Sequence, residues 1–286
     1  MKGYVNNMKN DEINKLHNYL LDILKEFQRI CNKNNLTYFA IAGTMLGAVR
    51  HDGFIPWDDD LDVGMPIKDF LLLRKFIEKD IKQPYVFIDT LNKKRNIHYF
   101  YKIENEKTTF IEEENVKFKK GIWIDILPFS GTPDNNISLY IFLKKLYFYK
   151  KLDLYRNMNY NDCKNIKQKI LKIISFPFTI GKKNNYYVTK FENLMNKYDF
   201  KKSKKIFYAW RLSFSYKKTI KYSVFDSKIF NSFISHKFEN TSIMLPVRYD
   251  LYLKKCYGDY MKLPPIEKRK CHKPFLLSFD KSYKEI

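Results

Sequence analysis

His51-Asp52-Gly53-Phe54-Ile55-Pro56-Trp57-Asp58-Asp59-Asp60-Leu61-Asp62-Val63-Gly64, preceded by Ala42-Gly43-Thr44-Met45-Leu46-Gly47, is the stretch on which the fold is read. Four carboxylates fall within five residues, in an apolar and aromatic setting rather than an acidic tail. Side chains at i and i+2 of a strand share a face. A strand over 59–65 therefore directs Asp60 and Asp62 to one side and Leu61 and Val63 to the core. Carboxylates held that close repel each other unless a cation separates them. A hard divalent ion such as Mg²⁺, which takes oxygen ligands and substrate phosphates, suits the pair. The spacing predicts a metal-dependent, phosphate-handling site.

Around this stretch the chain reads as α/β. Upstream, Ile13, Leu16, Leu20, Ile23, Phe27 and Ile30 recur three and four apart, which predicts an amphipathic helix from Asn10 to Asn35. Asn10 or Asp11 is its expected cap, and its buried face is expected to carry no chemistry. Leu36 to Ala42 reads as a short strand, Gly43-Thr44 as a sharp turn, and Thr44 to Val49 as the start of a helix. Pro66 then opens a helix over 69–79. Further strands are expected at 84–89, 98–104 and 121–127, the last ending at Pro128. Together these give a mixed sheet core with flanking helices. Past Pro133-Asp134 polar turn signals become scarce. The chain to Asp259 reads mainly helical, with breaks near Pro177, Gly181 and Pro246, and Pro264-Pro265 opens a basic tail. The expected division is an N-terminal helix (1–35), a catalytic core (36–135) and a helical accessory region with that tail (136–286).

The 286 residues carry 53 basic and 31 acidic side chains, a formal charge of +22. Such an excess points to nucleic acid, an anionic membrane or an anionic substrate. The lysines, however, lie in short runs along the whole length (Lys119-Lys120, Lys144-Lys145, Lys182-Lys183, Lys201-Lys202, Lys204-Lys205). That distribution reads as a generally Lys-rich surface. No nucleic-acid-binding motif accompanies it, so no specific nucleic acid partner is expected. Cys31, Cys163, Cys256 and Cys271 form no CxxC pair, which argues against a disulfide framework or a zinc cluster. Cys271-His272 with Cys256 is the nearest approach to a ligand group and lacks a fourth member. Met1 to Asp11 is polar, unlike a secretory signal, and no apolar run is long enough to cross a bilayer. A cytoplasmic location is expected. Ile137 to Tyr155, rich in Lys and aromatic residues, reads either as a segment lying on the anionic inner face of a membrane or as a buried helix with snorkelling lysines.

Gly43-Thr44 at a strand-to-helix junction suits phosphate, because glycine permits close approach and the helix N-terminus offers N–H groups. Gly-Thr, a helix, and then Asp-hydrophobic-Asp-hydrophobic resembles the nucleotidyltransferase superfamily, in which a third carboxylate on a later strand completes the metal site. Asp125 is the candidate, the one carboxylate of Gly121-Ile122-Trp123-Ile124-Asp125-Ile126-Leu127-Pro128. Buried alone it would cost several kcal/mol, so it needs a partner. Capping a loop N–H is one option; work at the metal site is favoured, because clustered carboxylates mark functional sites.

In full, Gly43 to His51 followed by Asp62-Val63-Gly64-Met65 resembles the LicD family, which includes the fukutin-related proteins. Lys102 with Thr108, the Gly121 to Pro128 strand, Tyr257-Gly258-Asp259-Tyr260, Leu263-Pro264-Pro265 and Lys268-Arg269-Lys270-Cys271-His272 agree with it. The resemblance runs through 36–133 and again through the C-terminal fifth. It implies a nucleotidyltransferase-like core and transfer of phosphocholine, or a related phospho-alcohol, from a CDP-activated donor to a hydroxyl of a cell-surface glycan or its lipid-linked precursor, with Mg²⁺ or Mn²⁺. By position, Asp60 and Asp62 would hold the metal, and Asp125 would be a third ligand or the general base. Gly43 and Thr44 would contact phosphate. Arg50 and Lys102 are the positive side chains expected at the donor, and Asp58 an outer ligand. His51 is either a proton shuttle or phosphate contact, or a loop histidine bonded to Asp58 or Asp52. Trp57 and Trp123 either wall a pocket for a quaternary ammonium or pack in the core. Attachment of a nucleoside monophosphate, with release of pyrophosphate, is the alternative reaction.

Overall fold

The computed structural model describes residues 8–286 apart from 93, 94, 97, 115, 117, 270, 272 and 273. In chain order the first elements are α1 (Asn10–Lys33), β1 (Phe39–Ala40), α2 (Ala42–His51), β2 (Asp62–Pro66), α3 (Ile67–Asp80), β3 (Tyr85–Ile88), β4 (Tyr101–Asn105), β5 (Thr109–Ile111) and β6 (Ile122–Gly131). There follow α4 (Asn136–Asn157), α5 (Ile166–Thr179), α6 (Tyr186–Asn196), β7 (Lys205–Tyr208), α7 (Tyr216–Ser223), β8 (Val224–Asp226), β9 (Phe233–Phe238), β10 (Thr241–Pro246), α8 (Tyr249–Tyr257) and β11 (Leu276–Ser278). The architecture is α/β, in two compact units. One comprises 1–88, 100–127 and 228–286; the other comprises 89–99 and 128–227.

In the first unit the strands run in the order β1-β2-β6-β4-β3. Tyr85 to Ile88 lies antiparallel to Asn105 to Lys102, and Tyr101 to Asn105 antiparallel to Ile126 to Ile122. Ile103, Ile124, Val63 and Met65 are fully buried, as is the apolar stripe of α1, Ile23, Leu24, Phe27 and Ile30. Phe70 of α3 stacks on Tyr101 at 3.6 Å. Burying each such side chain contributes roughly 1.5–3 kcal/mol. The cap of α1 falls at Lys9, whose backbone N–H donates to Glu12 Oε2 at 3.0 Å, one residue ahead of the expected Asn10 or Asp11. An antiparallel hairpin of β9 and β10 also belongs to this unit, with Phe238 opposite Thr241.

Several strand limits differ from the sequence reading: the strand expected over 36–42 is only Phe39–Ala40, that expected over 98–104 begins at Tyr101, and two differences fall at the acidic segment and β6. β2 begins at Asp62, not at Asp59, so Asp60 lies in irregular chain just before it. β6 does not stop at Pro128 but continues to Gly131. Its register explains this: β4 pairs with residues 122–126 and β7 with 129–131. Proline therefore falls between two ladders, where its missing N–H is not needed.

The second unit packs α4 against α5, α6 and α7. Leu139, Phe142, Leu143, Leu146 and Leu152 of α4 are buried while Ile137, Tyr140, Ile141 and Phe148 are exposed, so the segment from Ile137 to Tyr155 has one packed face and one open face. β7 pairs antiparallel with β8. The region after 136 is mainly helical, but β7, β8, β9, β10 and β11 lie within it, which its hydrophobic pattern did not disclose. Pro177 does not end α5; it sits in the last turn of the helix, which stops at Thr179.

Candidate active site

The site is built where α2, the loop after it, β2 and β6 meet. The chain turns sharply into α2 at Ala42, whose φ of 47° is left-handed, and whose N–H donates to the Tyr252 hydroxyl at 3.2 Å. Gly43 follows because Asp58 is in the way: a Cβ there would lie 2.4 Å from Asp58 Oδ2. The Asp58 carboxylate thus rests at the first turn of α2, the end that favours negative charge. Thr44 is buried, and its Oγ1 accepts a hydrogen bond from the Asp62 N–H at 2.8 Å. Its hydroxyl pins the start of β2 to α2, a positioning task rather than the expected open phosphate contact.

Asp125 is brought to the same place by the sheet. Its N–H donates to the Leu61 carbonyl at 3.0 Å, which sets it beside the segment carrying Asp60 and Asp62. Across the other edge of β6, Lys102 is its register partner, and Lys102 Nζ donates to Asp125 Oδ1 at 2.5 Å. Both side chains are about nine-tenths buried. Lys102 is thus the partner the lone carboxylate required, and it balances Asp125 instead of standing open to a phosphate.

The electrostatics show how closely the acids converge. Burial pushes the Asp62 carboxyl well above the usual carboxylate range, and Asp60, Asp125 and Asp58 push it further, with Lys102 offsetting only part. Asp58 is pushed up to about 8, by burial first and then by Asp60 and Asp59. Acids so crowded call for a cation, and their hard oxygens suit Mg²⁺. Among the described residues no three His, Cys, Asp or Glu side chains come together closely enough to enclose a metal by themselves. The expected triad of Asp60, Asp62 and Asp125 is therefore not a closed cage, for two visible reasons: Asp125 is engaged by Lys102, and Asp60 is exposed.

A basic and aromatic cluster lies at the other end of α2. Arg50 Nε donates to His51 Nε2 at 3.0 Å, and Arg50 Nη1 to the Tyr260 carbonyl at 2.9 Å. His51 is consequently the partner of Arg50, not a loop histidine bonded to Asp52 or Asp58. Burial and the Arg50 charge lower its basicity. Arg269 of the C-terminal tail lies over the Trp57 ring at 5.3 Å and its charge is felt at Arg50. Trp123 is flanked by Lys120 at 3.5 Å and Lys102 at 4.6 Å from its ring centre. The cations over both tryptophans are therefore the protein's own, and Trp123 packs edge-on against Phe110. Lys270 and His272 of the tail lie outside the described residues. Cys271 is raised by burial, and it also feels Asp59 and Asp58, which places the tail beside the acidic loop.

Sequence reasoning missed His17. It lies in α1, stacks on Phe54 at 4.2 Å, and its Nε2–H donates to the Asp58 carbonyl at 2.7 Å. Glu239, at the hairpin tip, likewise holds the loop by accepting from the Phe54 N–H at 2.9 Å. One signal for His17 was available: it falls on the apolar stripe of α1, four after Ile13 and three before Leu20.

A sharp helix start facing an Asp-x-Asp segment that runs into a strand, with a third carboxylate on a central strand, is similar to the arrangement of nucleotidyltransferase domains. Residues 35–159 match the family described as LicD/FKTN/FKRP, nucleotidyltransferase domain, and over these residues the chain is similar to that family. The lipopolysaccharide cholinephosphotransferase LicD of Haemophilus influenzae is 27% identical over 281 residues, covering 88% of this chain and 92% of that protein. Uncharacterised proteins of Rickettsia prowazekii and Rickettsia typhi are 43% identical over 58 residues and 48% over 50, covering 22% and 16% of their own lengths.

Proposed function

We propose that this chain transfers a phospho-alcohol, phosphocholine foremost, from a CDP-activated donor to a hydroxyl of a cell-surface glycan or its lipid-linked precursor, with Mg²⁺ or Mn²⁺. The observation that carries the reading is the convergence of Asp58, Asp60, Asp62 and Asp125, drawn from two separated stretches, inside the region similar to the LicD family. The similarity to a cholinephosphotransferase along most of both chains supports the choice of phosphocholine.

In this reading Asp60 and Asp62 would hold the ion, whose charge would offset that of the donor diphosphate. Arg50 and Arg269 supply forked donors for the phosphate oxygens, with His51 fixing the Arg50 plane. Asp125 accepts the proton of the acceptor hydroxyl. The acceptor oxygen bonds to the phosphorus of the choline phosphate, the bond from that phosphorus to the bridging oxygen breaks, and CMP leaves. Thr44, His17 and Glu239 touch no reactant; they hold the acidic loop in place. No helix among the described residues is long and apolar enough to cross a membrane, so a lipid-linked acceptor would be met at the surface.

Incubation with labelled CDP-choline, CDP-ribitol and CDP-glycerol, with Mg²⁺ and a glycan acceptor, tests this. The expected product is CMP, formed with CDP-choline and abolished by EDTA. Pyrophosphate released from nucleoside triphosphates, without CMP from any CDP-alcohol, would instead make the chain a nucleotidyltransferase.

A further inference from the structure

Helix α5 is built inside out. Its buried side chains are Ser175 and Thr179, while Ile166, Ile170, Ile173, Ile174, Phe176 and Phe178 are all half or more exposed, Ile166 to 76%. The patch continues onto α4, where the exposed Phe148 meets Phe178 edge-on at 6.1 Å. Contiguous apolar surface of this kind marks a site of association. The charged residues of the helix itself are all lysines. From Cys163 to Phe191 the sequence has no acidic residue, whereas Lys164, Lys167, Lys169, Lys172, Lys182 and Lys183 fall within or beside the helix.

We propose that α5 is a membrane-docking helix that lies flat on an anionic lipid surface. Apolar side chains ringed by lysines fit the boundary between acyl chains and negatively charged headgroups. A second copy of the chain on this face would set the lysines of α5 against lysines, with no carboxylate on either helix to answer, which argues against self-association. The helix has 14 residues, too few to cross a bilayer, so it lies in the interface rather than through it. Lysines on such a helix extend their stems over the apolar surface and keep their ammonium groups among the headgroups; Lys172, whose Nζ donates to the Tyr155 carbonyl at 2.6 Å, is not one of them. The surface belongs to the second unit alone and is independent of the transfer reaction proposed above.

The test is co-sedimentation of the full chain with vesicles of phosphatidylcholine alone and of phosphatidylcholine mixed with phosphatidylglycerol. Binding is expected to the anionic vesicles and to weaken by at least about tenfold on the neutral ones, since each lysine near the surface adds to it. A double variant, Ile170→Ser with Ile173→Ser, is expected to lose at least about tenfold in partitioning, with an unchanged circular dichroism spectrum. A separate variant, Phe176→Trp, is expected to shift its emission to the blue when anionic vesicles are added. Equal binding by wild type and double variant, no binding to anionic vesicles, or a dimer that the double variant dissociates would each overturn the proposal. CMP formation on a water-soluble acceptor is expected to be the same in the double variant, which separates this result from that of the transfer assay.

Discussion

The two units solve opposite problems with the same materials. The first takes charge inward: Asp125 and Lys102 are buried as a pair, and Asp58 and Asp62 are pressed together where burial opposes ionisation. The second sends apolar side chains outward: α5 buries a serine and a threonine and exposes isoleucine and phenylalanine. Both arrangements lower stability by themselves. Acids that repel and hydrophobes left in water are kept only where something else completes them. On the proposals made above, a cation with phosphate completes the acids and a lipid surface completes α5.

Breaking the first arrangement at its centre has the largest expected effect. Asp62→Asn or Asp60→Asn is expected to cut CMP formation by at least about a thousandfold, roughly 4 kcal/mol of transition-state stabilisation, while the circular dichroism spectrum is retained. Wild-type turnover in either variant would remove the metal site from these residues. Next is Lys102→Met, which strands Asp125 in the interior; urea denaturation is expected to show a loss of about 3–5 kcal/mol. A change under 1 kcal/mol would mean that water reaches the carboxylate.

Smaller effects sharpen the contrast. Without metal near neutral pH, Asp62→Asn is expected to melt at a higher temperature than wild type, because burial and the neighbouring acids oppose ionisation of Asp62 in the folded state but not in the unfolded chain, and added Mg²⁺ should raise the wild-type melting point only. A variant that melts lower in EDTA would show that the acids are stabilising as they stand. His17 is held below its ordinary range by burial, so the unfolded chain takes up its proton first. Stability is therefore expected to fall as pH drops below 6.5, the ordinary imidazole value. His17→Gln should flatten that part of a melting-temperature profile, and an unchanged slope would assign it to other groups. Least of all, Ile173→Ser in α5 is expected to shift stability by no more than about 0.5 kcal/mol. A loss near the 2–5 kcal/mol expected for Leu146→Ala in the core of α4 would show that α5 is packed, not exposed.

The local sequence determined a good deal. The stripe of α1, a sharp helix start next to Gly43-Thr44, the Asp-x-Asp segment and the strand carrying Asp125 were legible, because periodicity and turn chemistry act over a few residues; the turn itself falls at Ala42, and Gly43 and Thr44 are already helical. The hairpin of β9 and β10 was not. Its turn is Glu239-Asn240, and Glu239 takes a φ of 52° without glycine. That conformation is held from outside, by the Glu239 N–H donating to the Asp52 carbonyl at 2.7 Å and by the Glu239 carboxylate accepting from Phe54. Likewise, Lys102 is opposite Asp125 only because of the register of β4 on β6, and His17 reaches Asp58 only because α1 packs against the loop. Residue types and short spacings thus named the acids. Which cation answers which acid, and which helix holds the loop, depended on long-range pairing, since a hydrogen bond between residues 41 apart leaves no periodicity in the chain.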